Sequence, residues 1–168
     1  LTEPGSTFKL LSMLALLEEG KINLKDSIDT GKGTFKFYDR NMNDSKEGGY
    51  GKITIKEAFE KSSNVAISRL VEDNFGHNPS KFVAYIEKAG LDKPIDFQLK
   101  GEGVPYFKKP GEKNWYGTTL PWMSIGYEAK LTPLHTLMLY NAIANDGKMV
   151  KPMIVKAVAR GNQIEEEY

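Results

Sequence analysis

Glu3-Pro4-Gly5-Ser6-Thr7-Phe8-Lys9-Leu10-Leu11-Ser12-Met13-Leu14-Ala15-Leu16-Leu17 is the stretch from which the rest of the chain can be read. Pro4 and Gly5 interrupt helix upstream, and Leu10, Leu11, Met13, Leu14 and Leu17 supply an apolar stripe downstream. A helix over 6–19, stopped at Gly20, is the expectation. Ser6 and Lys9 stand three apart in it, close to one turn, so their side chains share a face and can meet. A serine hydroxyl is a weak nucleophile that an adjacent neutral amine can activate. The positive end of a helix and burial both disfavour the ammonium form of Lys9. The same residues also fit an ordinary capping hydroxyl and a solvated lysine, so the choice between the two rests on the remainder of the chain.

The composition narrows the classes. The 168 residues suit one domain or a large part of one, and 40% hydrophobic with 27% charged residues is a globular balance. A net charge of +1 exerts no bulk pull on nucleic acid or acidic lipid, so no nucleic-acid partner is expected. The chain has no cysteine, which excludes thiolate catalysis, disulfides and cysteine metal sites. Asp39, Asn41 and Asn43 imitate the start of a calcium loop, but its sixth position would be Asp44 and its twelfth Tyr50. His77 and His135 have no partner at metal-ligand spacing, and a surface or capping role is expected for both. No calcium or histidine metal site is therefore expected. No apolar run is long enough to span a bilayer. The chain opens without a methionine and inside its own most informative motif, so it is expected to be a piece of a longer protein.

Downstream, the polar stretch 21–50 holds one candidate strand, 34–38. Thr54 and Glu57 form a capping box that opens a helix to about Lys61. Apolar residues Val65, Ile67, Leu70 and Val71 predict a second, buried helix over 64–74. A further amphipathic helix is expected over 80–89, and loop over 92–119, including a solvated basic turn at 108–113. Thr132-Pro133 starts another helix, with Leu134, Leu137, Met138, Tyr140 and Ile143 expected on its buried face. A strand is expected over 154–159, before an acidic tail at 165–168. Trp115, Tyr116 and Trp122 fit either a substrate groove or anchors of loop to core.

Lys61-Ser62-Ser63-Asn64 falls at the junction of two expected helices. Ser62 and Asn64 are two apart, so in a turn both can point into one cleft. A second hydroxyl can relay a proton, and an amide can hold a carbonyl and a lysine together. All three residues are also good helix caps. This is the one Ser-x-Asn of the chain, and 6–9 is the one Ser-x-x-Lys.

In that order the two motifs resemble the first two boxes of the penicilloyl-serine transferases, whose signature is Ser-x-x-Lys, Ser-Asp-Asn and Lys-Thr-Gly; the Ser-Ser-Asn form here looks most like class B. The segments around them are similar to the transpeptidase domain of class B, high-molecular-mass penicillin-binding proteins. These are 3–9, 53–66 (Ile-Thr-Ile-Lys-Glu-Ala-Phe-Glu-Lys-Ser-Ser-Asn-Val-Ala), 124–127, 131–134 and 142–147. The resemblance implies the helical part of an α/β penicillin-binding and β-lactamase-like fold, mainly α with a few short strands and lacking much of its central sheet. It implies a partial transpeptidase domain over 1–168, with the third box just past Tyr168, since no Lys-Thr-Gly or Lys-Ser-Gly occurs in the chain. The family usually has glutamine where His135 stands, and a more usual Tyr-Gly or Gln-Gly is replaced by Tyr127-Glu128.

The implied activity is that of a peptidoglycan D,D-transpeptidase. Ser6 would attack the penultimate D-alanine carbonyl of a stem peptide, and Lys9 would take its proton. Ser62 would pass a proton to the leaving D-alanine, and Asn64 would position Lys9 and the substrate amide. An amine of a neighbouring strand would complete the crosslink, β-lactams would acylate the same Ser6, and the resemblance implies no metal or cofactor. Implied partners are stem peptides, β-lactams and membrane proteins of division or elongation. The implied location is the outer face of a bacterial cytoplasmic membrane, behind an N-terminal anchor helix. A serine β-lactamase or a β-lactam-sensing domain on the same fold is the alternative. Ser62-Ser63-Asn64 departs from the Ser-x-Val of class D β-lactamases, and Glu128 to Thr132 from the Glu-x-x-Leu-Asn of class A.

Overall fold

The helix that begins the chain's core is apolar on nearly every side, and it is buried accordingly. The computed structural model describes residues 1–98 and 100–167. Leu99, in the expected loop, and Tyr168, at the end of the expected tail, lie outside the described residues. A 3-10 turn, Gly5–Phe8, leads into α1, Lys9–Glu18. Leu11, Ala15 and Leu16 of α1 are completely buried, whereas Leu17, expected on the stripe, is exposed. Full burial of a leucine stabilises by roughly 2 kcal/mol, so α1 anchors the core.

Around α1 the chain places β1 (Ser27–Asp29), β2 (Thr34–Phe37), β3 (Arg40–Asn43), β4 (Lys52–Thr54), α2 (Ile55–Glu60) and α3 (Asn64–Phe75). There follow α4 (Pro79–Lys88), β5 (Tyr106–Phe107), α5 (Thr119–Met123), β6 (Ala129–Lys130) and α6 (Pro133–Ala144). A hairpin of β7 (Ala157–Arg160) and β8 (Gln163–Glu167) closes the order. α1 packs on α3 and α4, and α3 on α5.

The expectation of a mainly α chain is corrected. Helix accounts for 36% of the residues and strand for 17%. Among the described residues the strands form four separate two-stranded antiparallel sheets: β1–β4, β2–β3, β5–β6 and β7–β8. The candidate strand at 34–38 forms as β2, whereas the polar segments 21–50 and 92–119 conceal β1, β3 and β5; each of the four buries one apolar side chain: Ile28, Phe37, Met42 and Phe107. One buried position per strand is too sparse for an alternation signal.

The face of α6 is corrected too. His135, Leu139 and Ala142 are buried, whereas Leu137, Tyr140 and Ile143 are exposed. His135 fixes this orientation, because its Nδ1 lies 2.7 Å from the Thr132 hydroxyl and its Nε2 2.9 Å from the Lys93 carbonyl oxygen. A buried imidazole needs such partners. Of the two roles expected for it, the surface one is not adopted, whereas its contacts to the N-cap residue Thr132 belong to the cap of α6. Trp115 and Trp122 pack partly buried against the core, and Trp122 meets Phe37 edge-on, so these two are anchors; Tyr116 is exposed. Among the described residues no helix is long and apolar enough to cross a membrane.

Candidate active site

Neither plain capping role is what the first motif adopts. The 3-10 turn has Pro4 at its N-cap position, α1 has Phe8, and neither end carries a side-chain cap. The Thr7 hydroxyl donates to the Pro4 carbonyl, 2.8 Å, and Ser6 is exposed. In a 3-10 turn residues i and i+3 eclipse, which sets Ser6 over Lys9 more directly than an α-helix would. The turn is fixed from outside. The Gly5 N–H donates to the Gly126 carbonyl, 3.1 Å, and a Cβ on Gly126 would stand 2.0 Å from the Gly5 carbonyl oxygen. Tyr140 of α6 donates its hydroxyl to the Thr7 carbonyl, 3.1 Å.

Lys9 is 1% exposed. Its Nζ donates to the Ser62 carbonyl at 2.6 Å, the Ser62 hydroxyl at 2.9 Å and Asn64 Oδ1 at 2.6 Å. Burial lowers its pKa from the ordinary 10.5 to about 8, against an opposing pull from the Asp44 carboxylate. Three acceptors match the three hydrogens of an ammonium. When one proton leaves, the Ser62 hydroxyl alone among the three can turn from acceptor to donor toward Nζ. The arrangement thus allows a proton to pass between Lys9 and Ser62.

The second motif owes its shape to the end of α2. The Ser62 N–H donates to the Phe59 carbonyl and the Ser63 N–H to the Ala58 carbonyl, both 2.9 Å. This is a Schellman termination with Ser62 in the left-handed position that glycine usually fills. Its φ is +54°, which costs a non-glycine residue about 1 kcal/mol. Ser63 alone caps α3, its hydroxyl accepting from the Ala66 N–H at 3.0 Å. Ser62 is left exposed, and the Asn64 side chain is free to span from Lys9 to the Asn43 carbonyl, to which its Nδ2 donates at 2.8 Å.

Lys9, Ser62 and Asn64 therefore meet; Ser6 lies on the turn that leads into Lys9, and among the described residues no hydrogen bond joins its hydroxyl to the other three. Sequence reasoning passed over Asp44, which had entered only as a misfit in a calcium loop. It accepts from the Ser63 hydroxyl and the Val65 N–H. Among the described residues no cluster of three or more His, Asp or Glu could hold a metal. A cleft of about 420 Å³ lined by Leu14, Tyr85, Leu139, Ile143 and Met149 contains none of the four site residues; it is apolar and carries no such chemistry.

A family profile described as the penicillin binding protein transpeptidase domain matches residues 1–168. The penicillin-binding protein PbpB of Mycobacterium tuberculosis is 31% identical over 166 residues, covering 98% of this chain and 24% of that protein. The peptidoglycan D,D-transpeptidase FtsI of Escherichia coli K12 is 27% identical over 157 residues, covering 93% of this chain and 25% of FtsI. The crystal structure of penicillin binding protein 3 of M. tuberculosis complexed with ampicillin superposes with a TM-score of 0.81 at 29% identity, covering 99% of this chain and 36% of that one. The chain belongs to the penicillin binding protein transpeptidase domain family. It spans about a quarter of the length of the curated relatives it matches.

Proposed function

We propose that the protein carrying this chain is a peptidoglycan D,D-transpeptidase acting through an acyl-serine on Ser6, with Lys9 as base, Ser62 as proton relay and Asn64 as positioning amide. The observation that carries this is the Lys9 amine, buried and depressed toward neutrality, between the Ser62 and Asn64 oxygens. Family membership and the names of the relatives support it.

The Ser6 hydroxyl adds to the carbonyl of the penultimate D-alanine while its proton passes to Lys9. The Ser6 N–H supplies one oxyanion donor. The proton returns through Ser62 to the departing D-alanine, and an acceptor amine then takes the acyl group. β-Lactams acylate the same hydroxyl. The chain is a partial domain in this proposal, with a Lys-Thr-Gly strand beyond residue 168 supplying the second oxyanion donor. The parent acts at the outer face of a bacterial cytoplasmic membrane, held there by an N-terminal anchor and working with division or elongation proteins.

Fluorescent penicillin labelling with intact mass tests this. The full-length protein should gain a stable adduct on Ser6 that Ser6→Ala lacks. Labelling that survives Ser6→Ala would refute the assignment, and rapid loss of the adduct with turnover of the drug would mark a β-lactamase instead. Residues 1–168 alone should label poorly.

A further inference from the structure

The Ser62 bend is an unfavourable backbone conformation, so something must hold it. α2 supplies the two carbonyls of its own end. The other restraint comes from Asp44, directly after β3, 18 residues upstream of Ser62 in sequence. Its Oδ1 accepts from the Ser63 hydroxyl at 2.9 Å and from the Val65 N–H at 3.0 Å, and its Oδ2 lies 3.1 Å from the same hydroxyl. These two donors follow Ser62 and flank Asn64. Asp44 is itself pinned, its N–H donating to the Gly33 carbonyl at 2.8 Å. The loop after it is closed by a backbone contact, where a Cβ on Gly49 would stand 2.1 Å from the Gly33 nitrogen. No side chain fits between the two strands of chain that aim this carboxylate.

We propose that Asp44 is a positioning residue of the site, clamping Ser63 and Val65 so that the left-handed Ser62 and the Asn64 amide present their oxygens to Lys9. This rests on the acyl-serine assignment above. Asp44 touches no reacting atom. Its charge also acts on Lys9, opposing the effect of burial and keeping the amine from losing its proton too readily. Several other charges on elements around Lys9 are engaged elsewhere, among them Lys56 with Glu60 on α2. Glu18 and Glu19 lie at the far end of α1, Glu19 with Lys81 and Tyr85 of α4. Lys61 after α2 pairs with Glu57. Arg69 of α3 donates to the Asp29 carbonyl, and Arg40 begins β3.

Two substitutions separate clamp from charge. Asp44→Asn keeps an oxygen for both donors but removes the anion, whereas Asp44→Ala removes both. Acylation rate constants of the full-length protein with fluorescent penicillin, measured from pH 6 to 10, are the readout, with thermal midpoint as a folding check. Asp44→Ala should lose about 100-fold, the scale of a misplaced proton-transfer group. Asp44→Asn should stay within about fivefold at high pH, the scale of one weakened hydrogen bond. Its low-pH limb should move to lower pH, because loss of the anion destabilises the ammonium. A purely structural aspartate would lower both rates and midpoint without moving that limb. Asp44→Ala acylating at the unmodified rate, or Asp44→Asn with an unmoved limb, overturns the proposal while Ser6→Ala stays unlabelled. Labelling of Ser6→Ala would instead remove the assignment on which it rests. If Asp44→Ala does not fold, the Asn limb decides.

Discussion

The two ends of the six-residue helix α2 are built on opposite principles. At its start Thr54 and Glu57 form a reciprocal capping box, the Thr54 hydroxyl accepting from the Glu57 N–H and Glu57 Oε2 accepting from the Thr54 N–H. Every local preference there agrees with the fold. At its end a serine takes the left-handed place where glycine would relax the chain. The first end contributes only stability. The second sacrifices some stability and presents a hydroxyl to a buried lysine 2.9 Å away. Local conflict of this kind marks where a structure serves chemistry.

The largest effect should come from Ser62→Gly. It should raise stability by about 1 kcal/mol by relieving the left-handed strain. In the same variant acylation should fall by roughly 100-fold through loss of the relay hydroxyl. Paired denaturation and penicillin-labelling measurements check this, and a variant that gains stability without losing rate would erase the contrast. Next in size is pH. In the proposed mechanism Lys9 acts as a neutral amine, and its pKa is lowered to about 8. The acylation rate should therefore climb as pH rises through about 8 and fall nearly tenfold per unit below it. Stopped-flow labelling across that range shows the limb, and a flat profile would remove Lys9 as base. Gly126→Ala comes third. Its Cβ would stand 2.0 Å from the Gly5 carbonyl oxygen at a backbone of φ +86°, and roughly 2 kcal/mol should be lost. Labelling by the molecules that remain folded should slow, because the displaced turn carries Ser6. Thr54→Ala is the smallest. It should cost about 1 kcal/mol and leave the acylation rate per folded molecule unchanged.

The same contrast explains what could be read in the chain beforehand. The capping box of α2, the apolar spacing of α3 and the Thr132-Pro133 start of α6 are local signals, and all three helices form where they point. Ser6, Lys9, Ser62 and Asn64 could be singled out by spacing. Asp44 could not, because its nearness to Ser63 depends on the pairing of β2 with β3 and on the Gly33–Gly49 contact. The α6 face was misjudged for a related reason. The stripe from Leu134 to Ile143 is real as a pattern, but the carbonyl of Lys93, 42 positions away, draws His135 inward and turns the helix.

The Gly5–Gly126 contact carries a further consequence. Two main-chain segments touch there with no side chain as cushion, so the register of one is transmitted to the other without slack. A substitution anywhere in the span from α5 to β6 that rotates Gly126 would be felt at the hydroxyl of Ser6 as a change of aim. With Ser6 as the proposed acylated residue, β-lactam reactivity could thus be tuned from residues that no inhibitor ever meets.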